Sequence, residues 1–182
     1  MDSLRGHLLI ASPALFDPNF RRTVVLVTEH GEEGAMGLVL NRPSETPVSE
    51  GAPPLGDLVE DGALVHFGGP VEPAAVTVLA EFEDPDYAAA VVLGDIGFVR
   101  ADAELDDLPA ATRRARVFAG YCGWSAGQLE AELEGDDSWI VETPRPDDVF
   151  VEGSEDLWST ILRRKGGQFA IVALMPFDPS VN

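Results

Sequence analysis

The sequence has few of the residues from which metal and redox sites are built. Its single cysteine, Cys122, excludes a disulfide within the chain. Its three histidines, His7, His30 and His66, lie in separate segments, without the H-x-x-x-H or C-x-x-C spacing of transition-metal sites. The sequence therefore predicts neither a bound metal nor another cofactor.

Positive charge is also scarce. Asp and Glu contribute 32 residues, whereas Lys and Arg contribute only 12, and the formal net charge is -20 at pH 7. Such a chain repels polyanions at long range, so direct nucleic-acid binding is disfavoured unless a basic patch is exposed. Two basic clusters occur, at 113–116 and 163–165. The second falls at the end of a predicted helix, where cations offset the helix dipole.

Long apolar runs are missing as well. None approaches the roughly 20 residues that a membrane-spanning helix requires. The opening MDSLRGHLLIASP contains too short an apolar run for a secretory signal, so we expect a cytoplasmic protein without a membrane partner. A chain of 182 residues, 45% of them hydrophobic, suffices for one core, and residues 1–182 are predicted to form one domain.

Short runs of apolar and β-branched residues are the main secondary-structure signal. They predict strands at 7–11, 23–28, 36–40, 64–67, 76–82, 90–93, 116–121 and 169–174. Helices are predicted at 101–111, 125–134 and 154–164, a turn at 94–97, and a proline-rich loop at 43–54. Strands come in pairs before helices, without strict alternation. This favours an α+β fold with a mixed, mainly antiparallel sheet and flanking helices.

A G-x-S-x-G pentapeptide at 123–127 places Ser125 between an apolar run and a helical pattern, as in a nucleophile elbow. In the α/β-hydrolase order the histidine base follows the serine, whereas no histidine follows His66 here. Ser125, with Gln128 three residues later, instead fits a capping box at the start of a helix. The alternative to this structural role is an enzyme, either a serine or cysteine hydrolase or a redox enzyme, that uses Ser125 or Cys122.

The segment Gly68-Gly69-Pro70 follows a predicted strand and lacks the lysine of a phosphate-binding loop. Glycines allow backbone angles and close approaches that other residues do not. The segment therefore predicts a tight turn or close packing, with a small-ligand pocket as the other interpretation.

Four segments together resemble the AlgH/YqgE family of bacterial proteins: LLIASPALFDPNFRRTVVLVTEHGEEGAMGLVLNRP, HFGGPV, GYCGWSAGQLEAEL and ALMPFDPSVN. The resemblance spans nearly the whole chain. It implies an α+β domain whose bent sheet bifurcates into a pseudo-barrel with helices packed outside. It also implies a regulatory role, because some members are labelled transcriptional regulators, without an established DNA-binding motif or enzyme activity. The family motif is similar to G-W-x-x-G-Q-L-E, and the position of Ser125 is not part of it.

The resemblance also supplies candidate site residues. The matching positions are Asp17, Pro18, Asn41, Arg42, Pro43, Gly68, Gly69, Pro70, Gly123, Trp124, Gly127, Gln128, Leu129, Glu130, Asp178 and Pro179. The candidate ligand-binding residues among them are Asn41, Arg42, Gly68, Gly69, Trp124, Gln128 and Glu130.

Asn41 and Arg42 are the most suggestive of these residues, because at a strand end their several donors can recognise an anion. The hypothesis is a pocket that joins Asn41, Arg42, Gly68 and Trp124. The alternative is that Arg42 pairs with a structural acid such as Glu130. With no complete catalytic set, we predict a non-enzymatic regulatory or binding protein that acts through a protein or small-molecule partner.

Overall fold

Ten strands form one curled sheet in the computed structural model, which describes residues 1–135 and 137–176. The strands are β1 (Leu8–Ala11), β2 (Val24–Gly31), β3 (Gly34–Val39), β4 (Pro43–Pro47), β5 (Leu64–Phe67), β6 (Val71–Phe82), β7 (Ala88–Leu93), β8 (Ile96–Val99), β9 (Thr112–Ser125) and β10 (Trp139–Glu142). Their order is β10-β1-β2-β3-β9-β6-β8-β7, and β5 lies beside β9 with β4 next to it. Only the pair β5 and β9 is parallel among these described strands.

Short helices flank this sheet. Those described are α1 (Val48–Gly51), α2 (Leu108–Ala111), α3 (Gln128–Gly135), α4 (Pro146–Phe150), α5 (Leu157–Lys165) and α6 (Gln168–Val172). Single 3-10 turns lie at 53–58, 85–87, 105–107 and 154–156. The predicted α+β fold with a mainly antiparallel, bent sheet is confirmed. None of the described helices combines the length and the apolar character needed to cross a lipid bilayer.

Strand β9 connects the two parts of the sheet. Its last four residues pair with β3 in a register that sets Gly37 opposite Cys122. On one side, its residues 112–119 pair with β6, and Tyr121 pairs with Val71 of β6 after a bulge. On the other side, β9 pairs with β5 through Phe118 and Ala119 and then with β3 from Cys122 onwards. Gly120 lies at this change from β5 to β3, and its φ of +75° is accessible mainly to glycine. This change of partner places β5 beside the middle of β9, where a cavity forms.

Successive residues of β1 and β2 alternate between two buried clusters, so both faces of these strands are covered. The first cluster contains the apolar face of α5, made of Leu157, Trp158, Ile161 and Leu162. Their helical spacing is the one that predicts this helix. The second cluster contains Trp124 and Trp139, and a smaller third cluster lies around Val48.

The predicted loop at 43–54 is wrong over residues 43–51, which form β4 and α1. Strand β4 contains Pro43 and Pro47, and among the described strands it pairs only with β5. Proline donates no N–H to a ladder, and an edge strand tolerates it because one side of the strand needs no partner. Elsewhere Ile96 already begins β8 within the predicted turn, and the predicted helix at 101–111 is α-helical only in α2.

The run at 169–174, predicted as a strand, is mainly helix α6. Phe169, Val172 and Ala173 pack against the first buried cluster at positions i, i+3 and i+4. Gly166 and Gly167 separate α6 from α5, and the two helices pack against each other. Burial at a helical period therefore outweighs the strand preference of this apolar run.

Candidate functional site

Ser125 is the last residue of β9, and one half of the predicted capping box is present, because the Gln128 side chain reaches back to the Ser125 N–H. The other half is wrong, because the Ser125 hydroxyl donates to Gln128 instead of accepting a backbone N–H. The Ser125 N–H and hydroxyl both donate to Oε1 of Gln128, at 3.0 and 3.2 Å. The helix begins at Gln128, and the carbonyl of Gly127 accepts the N–H of Ala131 at 3.1 Å. Over the described residues, no histidine hydrogen-bonds to Ser125. Ser125 of the pentapeptide therefore has no histidine base beside it in the described part of the chain.

Cys122 is a core residue with no exposed surface. Its thiol donates to the carbonyl of Gly68 at 3.4 Å. Burial raises the pKa of this thiol to about 12, although the positive charge of Arg42 opposes the shift. Because the thiolate is the reactive form of cysteine, this environment favours a structural role over a redox role at neutral pH.

Asn41 and Arg42 hold the loop before β2. Asn41 Oδ1 accepts the N–H of Val24 at 2.9 Å, and its Nδ2 donates to the carbonyl of Arg22 at 2.8 Å. The guanidinium of Arg42 donates to three carbonyls of the same loop, those of Pro18, Asn19 and Arg21. The predicted pair between Arg42 and Glu130 is wrong, because Glu130 pairs with His30 at 2.8 Å, whereas the acid that acts electrostatically on Arg42 is Asp17.

Trp124, Gln128 and Glu130 lie together around α3. The carboxylate of Glu132 accepts the indole N–H of Trp124 at 3.0 Å and the side-chain N–H of Gln128 at 3.1 Å. Glu130 lies 2.8 Å from Nε2 of His30. Trp124 and Gln128 thus share the carboxylate of Glu132, whereas Glu130 pairs with His30. The described residues contain no group of three His, Cys, Asp or Glu suited to a metal ion.

The seven candidate ligand-binding residues fall into three groups. Asn41 and Arg42 contact the loop at 17–22, the α3 group surrounds Glu132, and Gly68 and Gly69 approach the backbone of 120–122. Phe20 of the loop stacks on Trp124 at a centroid distance of 6.4 Å and so links the first two groups. Ligand binding by these residues stays a prediction. Asp178 and Pro179 lie outside the described residues.

The basic cluster at 113–116 is largely neutralised within the chain. Arg113 pairs with Glu81 at 3.1 Å and with Glu83 at 2.7 Å. Arg114 pairs with Glu81 at 2.6 Å and with Asp147 at 2.8 Å. These arginines are therefore not an open basic patch, which weakens the case for direct nucleic-acid binding through them.

A cavity of about 600 Å³ lies between β5, the first half of β9 and the segment 150–155. We call it the β9 cavity. Residues 58–64 and 113–117 form much of its wall, and His66, Arg116 and Ser154 line it. A volume of this size falls within the range of small-molecule sites in proteins.

His66 and Ser154 form a buried pair on the wall of the β9 cavity. Nε2 of His66 lies 2.8 Å from Oγ of Ser154, and the two residues are 5% and 2% exposed. Nδ1 of His66 lies 3.2 Å from the carbonyl oxygen of Leu64, which can only accept a hydrogen bond. Nδ1 therefore carries the proton, Nε2 accepts, and the hydroxyl of Ser154 donates to Nε2. Burial and, to a smaller extent, the charge of Arg116 together lower the pKa of His66 to about 4, so the ring is neutral at pH 7.

Arg116 brings a half-buried positive charge to the same cavity. It donates from Nη1 to the carbonyl of Val149 at 3.1 Å and from Nη2 to the carbonyl of Val151 at 2.7 Å. Burial lowers the pKa of Arg116 to about 10, so the guanidinium stays charged at neutral pH, and Glu152 opposes this shift. No carboxylate of the described residues forms a salt bridge with it.

We expect His66→Gln to reduce the loss of stability between pH 7 and pH 5. The pKa of His66 is 6.5 in the unfolded chain and about 4 in the fold, so the unfolded chain binds the proton first as the pH falls. Its contribution is complete above pH 6.5 and is lost progressively towards pH 4, with a loss of about 2 kcal/mol at pH 5. Urea unfolding at both pH values measures this difference. Equal pH dependence of wild type and variant would contradict it.

The sequence gives little sign that His66, Arg116 and Ser154 meet. His66 is visible as a candidate base for Ser125, and Arg116 as a member of a basic cluster. Ser154 begins a predicted helix, where a serine is expected as a cap. Because 88 positions separate His66 from Ser154, only tertiary structure brings the pair together.

Comparisons with known proteins agree with the motifs of the sequence. A family model described as AlgH-like, DUF179, matches residues 8–170. A UPF0301 protein of Mycobacteroides abscessus is 42% identical over 97% of this chain and 87% of its own length. A UPF0301 protein of Streptomyces coelicolor is 43% identical over 100% of this chain and 97% of its own length.

Solved structures repeat the fold. The crystal structure of a Corynebacterium diphtheriae protein is similar with a TM-score of 0.87 and 25% identity, over 96% of this chain and 93% of that one. The solution structure of AlgH from Pseudomonas aeruginosa is similar with a TM-score of 0.72 and 32% identity, over 96% of this chain and 95% of that one. The chain described here therefore belongs to the AlgH-like family.

Proposed function

We propose that this chain is a cytoplasmic binding protein that holds a small acidic molecule, a carboxylate or a phosphate, in the β9 cavity. Occupancy of the cavity would then regulate a partner protein, in keeping with the regulatory label of the family. The observation that carries the proposal is Arg116, a half-buried, charged arginine that lines the cavity and forms no salt bridge among the described residues. Glu152, which also lines the cavity, acts on it electrostatically without forming such a pair.

The chemistry of Arg116 fits an anion. A guanidinium has five N–H donors, and two of its nitrogens here donate to the carbonyls of Val149 and Val151. Backbone carbonyls satisfy donors but do not neutralise a charge, and a charge that is partly removed from water is costly unless it is paired. A carboxylate or phosphate can accept hydrogen bonds from the remaining donors and neutralise the guanidinium at the same time.

The charge of the rest of the chain restricts the size of the anion. With a formal net charge of -20, the surface repels a nucleic acid at long range. Arg113 and Arg114, which also line the β9 cavity, already have carboxylate partners. A small molecule that enters the cavity satisfies Arg116 without bringing a long polyanion against the acidic surface.

Titration with inorganic phosphate and with succinate, followed by amide NMR, tests the proposal. We expect saturable shifts around residues 113–117 and 150–155 in the wild type, with at least a tenfold weaker Kd in Arg116→Met, because charge-assisted hydrogen bonds are lost. Arg116→Lys keeps the charge and should bind with intermediate affinity. Arg100→Met removes an exposed arginine that pairs with Asp102 and should bind as the wild type does.

Two results would overturn the proposal. One is the absence of saturable shifts with either anion in the wild type. The other is equal affinity in the wild type and Arg116→Met, with the variant shown to be folded by its amide spectrum.

A further inference from the structure

The pair formed by His66 and Ser154 has the arrangement that activates a serine hydroxyl. The hydroxyl of Ser154 donates to an unprotonated Nε2 at 2.8 Å, and Nδ1 is held by the carbonyl of Leu64 at 3.2 Å. A nucleophilic serine requires these relations, namely a base within hydrogen-bond reach and a group that orients the base. Here the orienting group is a backbone carbonyl.

We propose that Ser154, with His66 as its base, is a nucleophile that cleaves esters of small acidic molecules bound in the β9 cavity. The inference rests on the proposed function for its substrate class, since Arg116 would bind the acidic group. The serine chemistry itself rests only on the buried pair and on its position at the cavity wall.

Three elements fix this pair. His66 is held in β5 by parallel pairing with Phe118 of β9, and its ring packs on that of Phe118 at a centroid distance of 6.0 Å. Ser154 follows Gly153, which has a φ of +63°, and begins the 3-10 turn at 154–156. Both residues line the cavity, with 5% of His66 and 2% of Ser154 exposed.

The reaction balances with water as its only co-reactant. Oγ of Ser154 attacks the ester carbonyl carbon, and the hydroxyl proton passes to Nε2 of His66. The bond from that carbon to the leaving alkoxide breaks, and the alkoxide takes the proton from Nε2 and leaves as an alcohol. Water then attacks the acyl group on Ser154 and gives its proton to Nε2. Oγ of Ser154 departs, recovers that proton, and the carboxylic acid is released.

The neighbouring charge sets the expected pH dependence. Because burial and Arg116 lower the pKa of His66 to about 4, the free base is already present throughout pH 6 to 8. An anion that neutralises Arg116 would also remove part of this lowering and strengthen the base. We therefore expect Ser154 to react at a nearly constant rate from pH 6 to 8, whereas a histidine with the ordinary pKa of 6.5 would lose activity towards pH 6.

Labelling with an alkyl fluorophosphonate, read by intact mass and peptide mapping, tests the serine. We expect one adduct, on Ser154, formed with loss of fluoride and absent in Ser154→Ala. His66→Gln should slow labelling by roughly 100-fold or more, the usual contribution of a general base. Ser125→Ala is the matched control, because Ser125 lies in the G-x-S-x-G pentapeptide without a histidine partner and its loss should leave labelling unchanged.

Hydrolysis of mono-p-nitrophenyl succinate and of p-nitrophenyl butyrate separates the serine from the anion site. We expect the acidic ester to be preferred at least tenfold in kcat/KM, and this preference, but not the labelling of Ser154, to disappear in Arg116→Met. Absence of an adduct, or an adduct on Ser125, would overturn the nucleophile and leave anion binding intact. Labelling of Ser154 with equal turnover of both esters would overturn the acidic substrate class.

Discussion

Replacing Gly69 by alanine is expected to lower the free energy of unfolding by roughly 2–6 kcal/mol, or to prevent folding. An added Cβ would lie 2.2 Å from the carbonyl carbon of Tyr121 and 2.6 Å from the backbone nitrogen of Cys122. Gly69 also has a φ of +154°, which side chains rarely allow. We add about 1–3 kcal/mol for backbone strain and about 1–3 kcal/mol for displacement of the neighbouring strand. Urea unfolding measures the loss.

Gly94→Ala is the matched control. Gly94 also has a positive φ, of +55°, but its Cβ would meet no atom within 4 Å. Only the conformational cost remains there, about 1–2 kcal/mol. If Gly69→Ala and Gly94→Ala lowered the free energy of unfolding equally, steric contact between residue 69 and the backbone of Tyr121 and Cys122 would not be the cause.

The close approach of Gly68 and Gly69 to the backbone of 120–122 affects the cavity as well as the stability of the fold. Gly68 donates its N–H to the carbonyl of Ala119 and accepts the N–H of Val39, both at 2.8 Å. These two hydrogen bonds therefore hold the end of β5 against β9 and place His66 of β5 near Arg116 of β9. Reduced stability in Gly69→Ala should be accompanied by weaker phosphate binding.

Local patterns predicted much of the fold because many of its helices and strands show their own apolar spacing in the sequence. The α5 helix shows its apolar spacing in the sequence, and the strand at Leu64–Phe67 has the same bounds in sequence and structure. The errors arise where tertiary contacts decide. The run at 169–174 has strand-forming residues but is a helix against α5, and β4 exists because β5 offers an edge that tolerates prolines.

The site was less predictable for a different physical reason. The G-x-S-x-G motif can be recognised in the sequence because its residues are contiguous. In the described fold, however, no histidine hydrogen-bonds to its Ser125. The pair of His66 and Ser154 has no local signature, because its two residues come from β5 and from the turn before α5. Likewise, the exceptional feature of Arg116 is the lack of a carboxylate partner in the described fold, whereas its neighbours Arg113 and Arg114 are paired. No sequence pattern distinguishes these three arginines.

Asp148→Ala is expected to cost about 3–5 kcal/mol, the range for a buried ion pair that loses one partner. Asp148 is 5% exposed and accepts two hydrogen bonds from Arg164, at 2.8 and 2.7 Å. It also accepts the N–H of Arg145 at 2.7 Å, at the start of α4. The substitution leaves Arg164 charged and the N–H of Arg145 without its acceptor. Urea unfolding measures the cost, and Arg164→Met combined with Asp148→Ala should recover part of it.

Asp147→Ala, at the adjacent position, is the control for this pair. The side chain of Asp147 is 87% exposed, and its pair with Arg114 should contribute only about 0–1 kcal/mol. Equal losses in the two variants would contradict the role of burial.

The pair of Asp148 and Arg164 also connects stability to the cavity. It fixes α4 against α5, and the carbonyls of Val149 and Val151 that hold Arg116 follow directly after Asp148. Asp148 itself does not line the β9 cavity. Weaker phosphate binding by Asp148→Ala, under conditions where the variant is still folded, would therefore reflect a displaced wall rather than a lost ligand contact. Unchanged binding would show that Arg116 keeps its position without the ion pair. The wall of the β9 cavity would then not depend on the contact between α4 and α5.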